Sequence, residues 1–230
     1  RKESSAASDV YKRQLPYDPD GFAPIGMVGI GPLVLLSSPK RPFNSTQDIV
    51  AYAKQNPGKL TFATFGAGTS SHLAGELFKE RAGIDILHVP FKGATQALPA
   101  LISGDVDLFF DMVATGMPQA EAGKAKVFGI TSATRLATEP NLATLAEQGY
   151  PAFDMTAWFS FVAPKGTPAP VLDKLQTALA ETLKDEAVRK RLLDMGIDPR
   201  SGTAAELDKQ VKTEQPIVSQ LIKHANIVLQ

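Results

Sequence analysis

The stretch between residues 59 and 111 constrains the fold of this chain more than any other. A β-rich run at residues 60–65 leads into the turn Gly66-Ala-Gly68, and hydroxyl residues then open an amphipathic helix. Glycine lets the backbone approach a ligand closely, and the free N–H groups and positive dipole end of a helix favour a negatively charged group. The order of strand, glycine turn and helix therefore predicts a site for a small anion, either a carboxylate or a phosphate.

Strand and helix patterns alternate through most of the chain. Apolar runs predict strands at residues 33–36, 60–65, 86–89, 106–110, 127–131 and 159–163. Helical patterns lie between them: one runs from the capping sequence at residue 45 to Pro57-Gly58, a second covers residues 71–82 with Gly83 as its end cap, and a third covers residues 95–103. This alternation predicts an α/β fold built from βαβ units, with a parallel sheet and helices on both faces.

Beyond residue 170 the sequence is typical of helices. Leucine and valine at helical spacing predict two helices between residues 171 and 196. The capping box Thr203-Ala-Ala-Glu206 opens a last helix, and Pro216 should introduce a kink into it.

Composition excludes several classes of function. Lysine and arginine together number 24, as do aspartate and glutamate, so the formal net charge is zero. This balance argues against a nucleic-acid partner and against electrostatic attachment to a membrane. The absence of cysteine excludes disulfides, thiolate catalysis and cysteine-ligated metals. The three histidines lack the spacing of a metal-binding pair, so neither a metal nor another cofactor is predicted.

The first 14 residues have no apolar periodicity and little to bury. We expect residues 1–14 to be a disordered or non-native tail, because ordering each residue costs roughly 1–2 kcal/mol. The chain begins with Arg1 and carries no signal-peptide pattern, so we expect a fragment of a longer protein.

Four consecutive residues, Gly68, Thr69, Ser70 and Ser71, form the candidate anion-binding loop. Their pattern is one glycine short of the dinucleotide fingerprint Gly-x-Gly-x-x-Gly, with Ser71 in the third position. An ordinary strand-to-helix turn fits these residues as well as a ligand loop does. Neither a Gly-x-Ser-x-Gly elbow nor a recognisable acid–base pair is found in the sequence, so no catalytic residue is predicted.

Five further residues are candidate ligand contacts, each with a structural alternative. His72 either donates to a ligand or packs at the start of the helix. Lys92 and Gly93 follow a strand, and the lysine either points toward a ligand or lies in solvent. Asp111 ends an apolar strand at the edge where α/β proteins bind ligands, and it either accepts from a ligand hydroxyl or amine or caps the next turn. Trp158 either lines a ligand cleft or belongs to the core.

Three other polar positions have structural expectations only. His88 is expected at the edge of its strand. Asp105 and Asp107, which flank Val106, are expected to face solvent.

Several short motifs follow one another in a fixed order along the chain. They are Thr69-Ser-Ser-His-Leu-Ala-Gly-Glu-Leu-Phe78, His88-Val-Pro-Phe-Lys92-Gly93, Ser103-Gly-Asp-Val-Asp-Leu-Phe-Phe-Asp111, Thr156-Ala-Trp-Phe159 and Ala163-Pro-Lys-Gly-Thr-Pro168. From residue 15 to its C-terminus the chain resembles the Bug, or TctC-type, family, the extracytoplasmic solute receptors of tripartite tricarboxylate transporters.

The resemblance implies a two-lobed, periplasmic-binding-protein-like (type II) α/β fold. By that analogy residues 33–158 form lobe 2, while residues 15–32 and 159–230 are the remainder of lobe 1 with its C-terminal helices. The family's first strand, its glycine-rich ligand loop and the βα units that follow are not found in this chain, so the first lobe is expected to be incomplete.

The resemblance also implies a function. The chain would be a monomeric, periplasmic, non-catalytic receptor for a small carboxylate: a di- or tricarboxylate, an acidic amino acid or an aromatic carboxylate. It would deliver that ligand to the membrane components of a tripartite tricarboxylate transporter, and the nine candidate residues above would hold the ligand. The alternative is an α/β enzyme that uses the glycine turn to bind a phosphate-bearing ligand.

Overall fold

The computed structural model describes residues 21–227. Within that range the strands are β1 (Phe22–Ser37), β2 (Thr61–Thr64), β3 (Leu87–Pro90), β4 (Leu108–Met112), β5 (Lys126–Ile130), β6 (Thr156–Pro164) and β7 (Asp198–Gly202). The helices are α1 (Thr46–Gln55), α2 (Ser70–Ala82), α3 (Ala94–Ser103), α4 (Val113–Glu121), α5 (Ala169–Thr182), α6 (Glu186–Asp194) and α7 (Ala204–His224). The predicted tail at residues 1–14 lies outside the described residues.

Two units share the chain. Unit 2 comprises residues 31–157, and unit 1 combines the described residues up to Ile30 with residues 158–226. Strand β1 crosses from one unit to the other, because its first part pairs with β7 in unit 1 and its last part pairs with β4 and β5 in unit 2.

The sheet of unit 2 is mixed, whereas the sequence had predicted a parallel one. Its strand order is β3-β2-β4-β1-β5. Strand β2 runs parallel to β3 and β4, but β1 runs antiparallel to both β4 and β5. The prediction was wrong for β1, which precedes the first βαβ unit and runs in the opposite direction. An apolar run identifies a buried strand but carries no information on its direction.

Helices cover both faces of this sheet, as predicted. Phe109 of β4 packs in an apolar cluster with Ala97 of α3 and Val113 of α4. Phe110, the next residue, points to the opposite face and contacts the Phe78 ring of α2 at a centroid distance of 6.0 Å. Successive side chains alternate across a strand, so two buried phenylalanines in a row require two covered faces.

Helix α2 approaches the sheet at Gly75. A Cβ atom on this residue would lie 2.1 Å from Cε2 of Phe62, whose ring is fully buried in β2. Gly75 therefore sets how closely α2 packs on the sheet, and with it the position of the loop that precedes the helix. The helix ends at Gly83, as predicted, in a left-handed conformation with φ of 61°.

Unit 1 contains the predicted helices and one unpredicted strand. The Thr203–Glu206 capping box is present at the start of α7, and that helix continues through Pro216. Strand β7, Asp-Pro-Arg-Ser-Gly, lacks the apolar alternation of a strand, and it forms because it pairs with β1 from Met27 to Ile30. Long-range pairing has overridden local propensity here.

The solvent position expected for Asp107 was wrong. Its side chain is buried, and its carboxylate accepts from Arg41 Nε at 2.5 Å and from the Thr61 N–H at 2.8 Å. Asp105 is exposed, as expected. Between residues 21 and 227 no helix is long and apolar enough to cross a membrane.

Candidate functional site

Three helices of unit 2 begin at one edge of its sheet. Strands β2, β3 and β4 run in the same direction, and each is followed directly by a helix: α2, α3 and α4. The carboxyl ends of these strands, and with them the helix N-termini, therefore lie at the same edge. This is where open α/β sheets bind ligands, and helix N-termini favour anions there.

The loop before α2 has the conformation that an anion site needs. Gly68 has φ of +76°, which a residue with a side chain rarely adopts. Thr69 caps the helix: its Oγ1 donates to the Gly66 carbonyl at 2.8 Å and accepts from the His72 N–H at 3.4 Å. The backbone N–H groups of Ser70 and Ser71 have no acceptor among the described residues. These two N–H groups are therefore available to a bound anion.

The two serine hydroxyls differ. Ser71 is fully buried, and its Oγ donates to the Phe110 carbonyl at 2.6 Å, which ties α2 to β4. The hydroxyl of Ser70 is partly exposed and bonds to no other residue in the described part of the chain. Of the pair, only Ser70 offers a side-chain hydroxyl that is not already used within the protein.

His72 lies behind the loop with both ring nitrogens directed toward the protein. It is 5% exposed, its Nδ1 accepts from the Gly68 N–H at 3.1 Å, and its Nε2 lies 3.7 Å from Oε1 of Glu76. The Gly68 N–H is thereby engaged within the protein. The His72 ring stacks on that of His88, with centroids 3.6 Å apart and planes 15° apart.

His88, Thr64 and Glu76 complete a buried polar cluster with His72. The Nε2 of His88 lies 2.7 Å from Oγ1 of Thr64, and burial, with a smaller contribution from His72, lowers the pKa of His88 to about 4. Burial works against the charge of Glu76, yet hydrogen bonds from His72 and Lys79 hold the pKa of this carboxyl below its usual range. Sequence reasoning did not assign Glu76 a role, although the i, i+4 spacing of His72 and Glu76 on one helix signals contact.

Asp111 is the second-to-last residue of β4, and its carboxyl group is fully buried. Its Oδ1 accepts from the Met112 N–H at 2.9 Å, while its Oδ2 has no hydrogen-bond partner within residues 21–227. Burial raises the pKa of Asp111 to about 7, and the Thr115 side chain and the Met112 N–H oppose this only in part. Near neutral pH this group can therefore either donate or accept a hydrogen bond.

The remaining candidates lie at two places, since Lys92 and Gly93 are adjacent at the start of α3 and Trp158 belongs to unit 1. The side chain of Lys92 is exposed, and its backbone N–H donates to Oε1 of Gln96 at 3.3 Å. Gly93, with φ of +99°, is the residue from which α3 starts, without a side-chain cap. Trp158 belongs to unit 1, where its indole N–H donates to Glu214 at 2.8 Å. No group of three or more metal-ligating side chains is present in the described part of the chain.

Curated relatives match most of this chain. A UPF0065 protein from Bordetella pertussis is 33% identical over 221 residues, which is 94% of this chain. The matched stretches span 68%, 60% and 62% of the lengths of three such relatives. The chain therefore corresponds to about two thirds of each of these proteins.

Solved structures, among them that of the periplasmic binding protein BugD, have the same fold. R. palustris Rpa4515, determined with adipate, superposes on this chain with a TM-score of 0.84 at 31% identity. The superposed region covers 94% of this chain and 73% of Rpa4515. MatC from Rhodopseudomonas palustris, with bound malate, gives a TM-score of 0.79 at 30% identity. Its superposed region covers 94% of this chain and 75% of MatC. These likenesses confirm the predicted fold class.

A family model described as the tripartite tricarboxylate transporter family receptor, TctC, matches residues 2–227. The match confirms the resemblance found in the sequence motifs. It also places the chain in a family of receptors and not of enzymes. The chain belongs to the TctC family of tripartite tricarboxylate transporter receptors.

Proposed function

We propose that this chain binds a small carboxylate at the start of α2 and serves, in the periplasm, as part of a receptor for the membrane components of a tripartite tricarboxylate transporter. The observation that carries the proposal is the pair of N–H groups offered by Ser70 and Ser71 beside the hydroxyl of Ser70. A carboxylate accepting from both would gain two charge-assisted hydrogen bonds and the favourable end of the helix dipole. The adipate and malate bound to two related structures support a carboxylate.

The ligand class follows from the neighbouring groups. One carboxylate of the ligand would lie at the N-terminus of α2, and Asp111 would meet a hydroxyl, an amine or a second carboxyl group. In its protonated form Asp111 donates to a carboxylate, and in its ionised form it accepts from a hydroxyl or amine. A hydroxylated or amino dicarboxylate therefore fits better than a simple monocarboxylate. Gly68, Thr69 and His72 would shape this loop, while Lys92, Gly93 and Trp158 remain candidate contacts in the proposal.

Two substitutions at Ser70 separate its hydroxyl from its backbone N–H. Ser70→Ala removes only the hydroxyl. Ser70→Pro also removes the N–H, and it should leave α2 intact because proline is favoured at the first position of a helix. Thr69 already has the extended conformation that a following proline requires, with φ of −72° and ψ of 163°.

The test is titration calorimetry with malate, adipate, aspartate and ATP. We expect Ser70→Ala to weaken malate binding by about 1 kcal/mol, the contribution of a neutral hydrogen bond, and Ser70→Pro to lose roughly 1.5–3 kcal/mol more, because that N–H meets a charge. Equal affinity in the two variants would rule out anion binding by the start of α2. Binding of ATP alone would favour the alternative of an enzyme with a phosphate-bearing ligand.

A further inference from the structure

The stacked imidazoles of His72 and His88 hold the anion loop at two points. His72 accepts from the Gly68 N–H, and His88 contacts Oγ1 of Thr64. That Thr64 oxygen in turn accepts from the Gly66 N–H at 3.2 Å. Gly66 and the loop residue Gly68 are therefore both held by one pair of rings, which is contributed by α2 and β3.

The contact with Gly68 determines the protonation state of His72. A backbone N–H can only donate, so Nδ1 must be unprotonated to accept from it. The ring proton is then on Nε2, which faces the Glu76 carboxylate. If Nδ1 gained a proton, two donors would face each other and the hydrogen bond to Gly68 would be lost.

The charged groups near the stacked imidazoles, Glu76 and Lys79, both belong to α2. Glu76 lies beside Nε2 of His72 and forms an ion pair of 2.9 Å with Lys79, so its negative charge is shared between the two. Strand β2 contributes the Phe62 ring and the Thr64 hydroxyl, both uncharged, to the surroundings of the two imidazoles. Two cationic rings stacked at 3.6 Å would repel each other strongly in this setting.

We infer that His72 is a positioning residue for ligand binding: by accepting from the Gly68 N–H through Nδ1, it holds the loop in the conformation that receives the ligand. The inference rests on the proposed function. Because both ring nitrogens of His72 are engaged within the protein, it acts on the ligand only through Gly68. Carboxylate affinity should therefore depend on whether residue 72 offers an acceptor to the Gly68 N–H.

Two amide substitutions of His72 test this directly. In His72→Asn the side-chain oxygen takes the place of Nδ1 and keeps an acceptor for the Gly68 N–H. In His72→Gln the amide takes the place of Nε2, so it keeps the contact with Glu76 and loses the one with Gly68. His224→Asn, on α7 of unit 1, is the control for the loss of a histidine elsewhere.

The measurements are malate affinity at pH 8 and amide hydrogen exchange at Gly68. We expect His72→Asn to bind malate within about threefold of wild type, with wild-type exchange at Gly68. We expect His72→Gln to bind malate roughly tenfold more weakly, as for one lost buried hydrogen bond, with faster exchange at Gly68.

The outcomes separate the inference from the proposed function. Equal malate affinity in the Asn and Gln variants would overturn the positioning role. If wild type bound no carboxylate at all, the proposed function would fail. Exchange at Gly68 would then still decide whether His72 holds the loop, since equal protection in the two variants contradicts it.

Discussion

At the scale of single residues, the two strongest electrostatic perturbations near the candidate site act in opposite directions. Asp111 is an acid whose pKa is raised by burial, and His88 is a base whose pKa is lowered by burial. Both groups thus prefer to be neutral in the folded protein. Each makes the stability of the protein depend on pH, and the two dependences have opposite signs.

Replacing Asp111 by asparagine should stabilise the protein most at alkaline pH. The folded state holds this proton up to about pH 7, while the unfolded state releases it near pH 4, so stability falls as pH rises through this window. The loss is on the order of 4 kcal/mol when complete. We therefore expect Asp111→Asn to raise the melting temperature more at pH 8 than at pH 5, by differential scanning calorimetry. Asp105→Asn is the control at an exposed aspartate and should not raise the melting temperature more at pH 8 than at pH 5. An equal gain for Asp111→Asn at both pH values would contradict the burial of an ionising group.

Replacing His88 by glutamine should have its effect in acid. The unfolded state takes up the His88 proton near pH 6.5 and the folded state only near pH 4, so stability present above pH 6.5 is lost as pH falls through this window. Glutamine can keep a polar contact with Thr64 but cannot titrate. We expect the melting temperature of His88→Gln to fall less between pH 7 and pH 5 than that of wild type. An unchanged acid dependence would mean that another group is responsible.

The anion loop could be located from the sequence, but the side chains that support it could not. Gly68 to Ser71 could be identified because strand, glycine and hydroxyl residues are adjacent in the chain. The burial of Asp107 was missed, because its partner Arg41 lies 66 residues away and nothing local indicates the pairing. The stack of His72 on His88 was missed for the same reason, as it depends on the register of β3 against β2.

At the scale of elements, helix ends were predicted better than strand partners. The cap at Gly83 and the box at Thr203 and Glu206 were identified because capping is a local interaction of a few neighbouring residues. Helix α4 was missed, since Gly116 and Pro118 within it have low helix propensity. The direction of β1 and the existence of β7 depend on residues far apart in the chain, which local patterns do not encode.

The packing of α2 on β2 gives a prediction at this scale. Gly75→Ala should raise the helix propensity of α2 by about 1 kcal/mol, but its Cβ would overlap the buried Phe62 ring. Overpacking of this kind costs roughly 1–3 kcal/mol, so we expect a net loss of stability in urea unfolding. Phe62→Leu combined with Gly75→Ala should be less destabilised than the sum of the two single changes. Strict additivity of the pair would show that the ring and the methyl group do not meet.

At the scale of the whole molecule, composition and motif order together were enough for the family and the fold class. The zero net charge argued against nucleic-acid binding, and the order of motifs from Thr69 to Pro168 indicated the receptor family that the TctC model confirmed. Ligand identity is not encoded in the same way. It depends on a few polar groups at one sheet edge, such as Asp111, whose protonation is set by burial and not by residue type.

The strand shared by the two units also has a consequence for synthesis on the ribosome. Strands β4 and β5, which pair with the last part of β1, have been made once residue 130 has emerged. Strand β6 also pairs with β1, but the pairing from Met27 to Ile30 must wait for β7 at residues 198–202. During that interval half of a single strand is hydrogen-bonded while the other half lacks this partner and presents a bare backbone edge. The apolar residues around Gly26 and Gly29 make this edge a segment of the nascent chain that needs protection from aggregation.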